Sequence, residues 1–169
     1  MGSRFGDILK MLGEGRIGFQ AEELMTGTHQ FLEGAGPAGE HPLEFRVIWG
    51  AKNLLQWLNP SLPDFMTNFL YGTVSAGGLV ENAECRGVLE LRYFTEAKIR
   101  YRFDFQDRAG RRYRYLGEKV NIHLWTLPKS HTTCYGTITD LETGRDISRS
   151  VVYFRWSTLP AFLKSFRLA

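Results

Sequence analysis

Few residues of this chain have types and spacings that suggest chemistry. The four histidines, His29, His41, His123 and His131, form no pair at ligand spacing such as HxH or HExxH, so no metal site is expected. His29 reads as a structural or surface residue. His131 leads into Thr132-Thr133 after a segment carrying Trp125. A polar group there could sit at a barrel mouth, although a hydrogen-bonded structural histidine is the commoner outcome. No serine occupies a G-x-S-x-G elbow. Cys85 and Cys134 show no zinc or C-x-x-C spacing, and two reduced core cysteines are preferred to a disulfide. Cys134, lone within a predicted strand, reads as a small buried hydrophobe.

The carboxylates considered for acid–base work are Glu90, Glu96, Asp104 and Glu118. Such a role needs an apolar cavity that raises the carboxyl pKa. Residues 98–106 alternate Ile99, Tyr101, Phe103 and Phe105 with Lys98, Arg100, Arg102, Asp104 and Gln106. A three-residue loop, Arg108-Ala109-Gly110, turns this strand into 112–120, with the glycine at positive φ in a bulge. That register sets Phe105 against Tyr113, Phe103 against Tyr115, Asp104 against Arg114 and Arg100 against Glu118. A slip by one residue would mix the faces. Arginine opposite a carboxylate lowers its pKa, the wrong direction for a general acid. The charge ladder is expected to face outward, because buried charges are costly.

Arginines interleaved with aromatics also suggest nucleic acid, by stacking beside cations. In a strand, however, the two sets point to opposite faces, and the net charge is only +3. No nucleic-acid partner is expected.

The elements that must position these residues are mostly strands: about 21–33, 42–49, 66–75, 84–94, 98–106, 112–120, 131–140 and 147–156. Short helices are expected at 3–12, 52–58 and 158–166. The first carries Phe5, Ile8, Leu9 and Leu12 on one face, to be packed on the body or to meet a membrane or partner. The fold class is mainly β: about eight antiparallel strands in a closed or nearly closed, lipocalin-like barrel. Two curved sheets with helices across the open ends are the competing architecture. Residues 1–20 form an N-terminal helix and linker, and 21–169 one domain. Within it, Gly27-Thr28, Leu32-Glu33, Phe45-Arg46 and Leu54 recur at an offset of 109 as Gly136-Thr137, Leu141-Glu142, Phe154-Arg155 and Leu163. Residues 24–58 are therefore expected to superpose on 133–167. Neither a signal peptide nor an apolar run long enough to span a membrane is read from the chain, which makes the cytoplasm the expected location.

The segment 83–168 resembles a β-rich accessory domain of bacterial glucose–methanol–choline (cholesterol-oxidase-like) oxidoreductases. The likeness is carried by Arg86-Gly87-Val88-Leu89-Glu90-Leu91, Ile99-Arg100-Tyr101, Gly110-Arg111-Arg112-Tyr113, Gly117-Glu118-Lys119 and Leu159-Pro160-Ala161-Phe162-Leu163-Lys164-Ser165-Phe166-Arg167. Residues from Glu23 to Leu58 look like that domain's opening. The resemblance implies a module working near steroids or other lipids. No flavin site accompanies it, since no G-x-G-x-x-G follows a strand, and no cofactor is expected.

The leading expectation is thus a non-enzymatic binding module for a steroid- or lipid-like ligand, accessory to an oxidoreductase partner. Tyr101, Phe103, Phe105, Tyr113, Tyr115, Trp125 and Tyr153 would line the pocket, with His131 or Thr133 as polar anchor. Taken singly, each aromatic is also explained by core packing. Trp49 and Trp57 are assigned to helix–sheet packing. The alternatives are a cofactor-free isomerase or cyclase in the same cavity, or a docking module, whose signal a homodimer interface would mimic.

Overall fold

A computed structural model describes residues 2–120, 122, 133–155 and 167–168, side chains excepted at 2–4 and 167–168. Helix α1 (Gly2–Gly13) leads into β1 (Phe19–Phe31) and β2 (Glu40–Ala51). Then come α2 (Leu54–Trp57), β3 (Thr67–Ala76), β4 (Val80–Arg92), β5 (Lys98–Gln106), β6 (Arg112–Lys119), β7 (Thr133–Asp140), β8 (Arg145–Phe154) and β9 (Arg167–Leu168). Each strand from β1 to β8 pairs antiparallel with its neighbours in sequence, and β1 also pairs with β8. The sheet therefore closes into an eight-stranded barrel, which leaves no long edge exposed.

Alternation decides the inside. Phe45, Val47, Tyr101, Phe103, Tyr115 and Ile138 are buried, and the residues between them on each strand face out. The β5–β6 hairpin has the expected register: Phe105 opposite Tyr113, Phe103 opposite Tyr115, Asp104 opposite Arg114, Arg100 opposite Glu118. Gly110 takes φ 84°, where a side chain would be strained. The Asp107 carboxylate closes this turn by accepting from Ala109 N at 2.9 Å and Arg111 N at 3.0 Å.

The two barrel ends differ. At one end the connections are tight turns: 77–79, 107–111 and 141–144, with the longer 32–39 loop beside them. At the other lie α1, the α2 connection (52–66) and 93–97. Asn53 caps α2 by accepting from Gln56 N at 3.1 Å, and Leu54 N donates to Ile17 O at 2.8 Å, tying α2 to the start of β1.

Three expectations change. Strand β4 starts at Val80, because Val80 pairs with Ala76 before a bulge near Val74. The apolar stripe of α1 is not packed on the body: Phe5, Ile8 and Leu9 are exposed, while Met11 and Leu12 are half-buried. The two repeat copies both form hairpins, but in different registers. Gly27 pairs with Leu43, so a 109-residue offset would pair Gly136 with Val152. Gly136 pairs with Ser150 instead, because the β7–β8 turn is shorter and β8 carries an extra residue, Ile147, at a bulge opposite Ile138 and Thr139. The helix expected at 158–166 lies outside the described residues.

Candidate functional site

Five of the aromatic residues expected to line a pocket share the interior. Phe103 stacks on Tyr115 with centroids 4.9 Å apart, and Phe45 meets both rings at 5.3 Å. Tyr101 lies 5.8 Å from Phe45, and Phe105 stacks on Tyr113 at 5.6 Å. These side chains fill the middle of the barrel against one another, as an eight-stranded barrel permits. Tyr153 does not belong with them. It projects from the outer wall, 47% exposed, because Val152 takes the inward position on β8. Thr133 has outward parity on β7, next to the inward Cys134, and is half-buried. Trp125 and His131 lie outside the described residues.

Asp104, Glu118, Glu90 and Glu96 are all on the outside. Arg114 binds Asp104 through two bonds of 2.7 and 2.9 Å, and Arg100 donates to Glu118 at 2.9 Å. Arg92 donates to Glu96 at 2.6 Å, and that bond holds the Glu96 carboxyl below its usual range. The outward charge ladder is as expected, and none of these four carboxylates reaches the interior.

A different carboxylate does. Glu23 on β1 is 4% exposed and Lys119, the last residue of β6, 3%. Lys119 Nζ donates to Glu23 Oε1 at 2.9 Å. The Tyr101 hydroxyl donates to the same carboxylate, 2.9 Å from Oε2 and 3.1 Å from Oε1, and Trp49 Nε1 donates to Oε2 at 3.2 Å. The Lys119 ammonium also stands 5.1 Å from the centroid of the Tyr101 ring, a cation–π contact. Burial, then the Glu23 charge, push the Tyr101 phenol well above its ordinary range, and the same causes raise Tyr93 to about 12. Burial raises the neighbouring Cys134 thiol to about 12. The Tyr101 phenol therefore keeps its proton and donates it to Glu23.

The cluster sits where the wall changes partners. Strand β8 pairs with β1 from Phe31 down to Met25, and β9 pairs with β1 only at Phe19 and Gln20. Among the described residues, Ala21 to Leu24 have β2 as their only paired neighbour. Glu23 lies within that interval, toward the end of the barrel that carries α1 and α2. That end also displays Phe5, Leu9, Leu55, Leu58 and Phe94 to solvent, Phe94 at 75% exposure. Trp57 packs there edge-on against Phe19 at 4.9 Å, the helix–sheet contact expected of it. Trp49 meets Phe19 too, at 6.1 Å, but its indole N–H is committed to Glu23, which packing alone did not foretell.

A second buried polar group lies at the tight-turn end. His29 Nε2 donates to Gly77 O at 2.9 Å, and its Nδ1 is 2.7 Å from Ser148 Oγ. Because Gly77 O can only accept, neutral His29 carries its proton on Nε2, and the single Ser148 hydroxyl hydrogen is shared between His29 Nδ1 and Gln30 O, 2.9 Å away. Burial lowers the His29 pKa, and the His41 ring 5.7 Å away adds to that. This agrees with a structural role for His29 and removes the surface alternative.

Glu23 and Lys119 escaped the sequence reading, although a signal existed. Lys119 continues the aromatic face of its own hairpin, Tyr113, Tyr115, Gly117, Lys119. Glu23 shares the parity of Ala21 and Met25.

The fold and site define a closed antiparallel barrel with an aromatic core and, among the described residues, one ion pair buried on both sides. No family model, curated protein or solved structure matches the chain.

Proposed function

We propose that this barrel is a non-enzymatic module that binds an amphipathic, steroid- or lipid-like molecule at the α1–α2 end. The observation that carries this reading is the Glu23–Lys119 pair, buried toward the end of the barrel whose rim displays Phe5, Leu9, Leu55, Leu58 and Phe94. A buried ion pair contributes little net stability compared with well-packed apolar side chains. Its presence in an otherwise aromatic interior is economical if it holds the polar end of a ligand, whose apolar body meets the rim. Burying that body contributes about 25 cal/mol per Å² before the costs of association. The motif likeness to the oxidoreductase-associated domain is the ground for adding that such an enzyme supplies or consumes the ligand.

One observation favours a second reading. Glu23 and Tyr101 place a carboxylate and a phenol together in an apolar setting, the pairing a cofactor-free isomerase would use. Three donors already occupy Glu23, which ranks this reading second.

Native mass spectrometry of freshly purified protein, followed by organic extraction, tests both. A co-purified apolar molecule, or saturable uptake from a panel of sterols and long-chain lipids, supports binding. Chemical conversion of the bound molecule moves the isomerase reading to first place. A protein that is empty and takes up nothing removes both.

A further inference from the structure

We infer that the outer wall of the barrel carries a nucleotide site, an open groove in which a base stacks on Tyr71 and the phosphate sits between Arg86 and Lys52. The groove lies outside the barrel, and the inference does not depend on the lipid-binding reading above.

Strand parity and cross-strand register build the groove. On β3, Leu70 is buried, so Phe69 and Tyr71 face outward. Their rings stack with centroids 6.0 Å apart and planes 25° from parallel. Phe69 is half-buried, while Tyr71 stays 43% exposed. On β4, Cys85 is buried, so Arg86 also faces outward, directly opposite Tyr71. Phe69, Tyr71, Arg86 and Lys52, the residue after β2, line one groove of about 600 Å³, within the size range of small-molecule sites. Along β5, aromatic and basic residues alternate and therefore lie on opposite faces. Between β3 and β4 they are cross-strand neighbours on one face, the arrangement that stacking beside a cation requires.

Charge selects the ligand class. Lys52 and Arg86, the charged residues among the groove's described lining, are both cations. Asp104, opposite Arg86 on β5, gives both carboxylate oxygens to Arg114. A phosphate monoester, at about −1.5 to −2 charges near neutral pH, matches two cations, where a carboxylate matches one. Arginine also takes phosphate oxygens in pairs. The exposed Tyr71 ring supplies the face on which a base stacks.

Calorimetric titration of the whole protein with AMP, adenosine, ribose 5-phosphate, indole-3-acetate and a short oligoadenylate tests this. AMP is expected to bind at least about tenfold more tightly than adenosine, ribose 5-phosphate or indole-3-acetate, a difference of about 1.4 kcal/mol. Tyr71→Ala should weaken AMP about tenfold and leave ribose 5-phosphate unchanged. Arg86→Gln should bring AMP down to the level of adenosine. Circular dichroism of each variant checks that the barrel is kept. A free nucleotide and a nucleotide within a single strand present the same groups, and the oligoadenylate separates them. Equal affinity for AMP and oligoadenylate upholds the inference with free nucleotide as the source. Tighter oligoadenylate binding that falls with Tyr71→Ala upholds it with a single strand as the source. AMP binding no tighter than adenosine, or kept in both folded variants, overturns the inference. So does tightest binding of indole-3-acetate, or no binding at all. None of these results bears on the lipid-binding reading, which concerns the inside of the barrel.

Discussion

Lys119 Nζ reaches Glu23 Oε1 at 2.9 Å across the barrel, with both side chains almost fully shielded from water. Breaking such a pair from one side leaves a charge buried without its partner. Glu23→Met or Lys119→Met alone should cost about 3–5 kcal/mol, whereas the double replacement should cost far less than the sum of the two. Urea unfolding of the three variants checks this. A double-variant loss equal to the sum of the two single losses would show that the pair is not coupled.

The tight-turn end should make stability depend on pH. Burial holds the folded pKa of His29 below its ordinary 6.5. The folded protein therefore takes up a proton less readily than the unfolded chain. This contribution is fully present above pH 6.5 and is lost as pH falls from there through the folded value. Protonated His29 would give Nδ1–H to Ser148, whose hydroxyl would turn to Gln30 O, 2.9 Å away. Denaturation midpoints between pH 7.5 and pH 5 should fall for the native chain and fall less for His29→Gln. Parallel profiles would refute the assignment.

Tyr115 needs the space left by two glycines. A Cβ on Gly136 would lie 2.5 Å from the Tyr115 hydroxyl oxygen and 2.6 Å from ring carbons, and one on Gly117 would be as close. Gly136→Ala should destabilise by about 1–3 kcal/mol, the usual cost of overpacking. Adding Tyr115→Leu should recover part of that loss. A double-mutant cycle with no coupling would contradict the contact.

Cys85 and Cys134 are both buried, and burial pushes each thiol up to about 12. Thiolate is the reactive form, so labelling by a disulfide reagent at pH 8 should wait for unfolding. Urea should accelerate it in step with loss of structure. Fast labelling of either thiol in the native protein would contradict this.

Much of the architecture was legible in the chain itself. Period-two alternation in 98–106 and 112–120, with a loop closed by Gly110, determined the β5–β6 register and sent the charged set outward. A register slip would have put arginines among the aromatic rings. Strand count and strand spacing determined the barrel class for a similar reason, since eight antiparallel neighbours that close leave no edge. The 109-residue likeness predicted two hairpins but not their registers, which depend on turn length and a bulge.

The site needed the tertiary structure. Glu23 and Lys119 are 96 positions apart, and each looks ordinary among its neighbours. Only closure of β1 onto β8 carries β1 around to face β5 and β6. That brings one inward carboxylate to one inward ammonium, with Tyr101 and Trp49 as shared donors. Parity along each strand determined that both side chains point inward. Which inward residues meet depends on the barrel's curvature and stagger, and no local pattern encodes either.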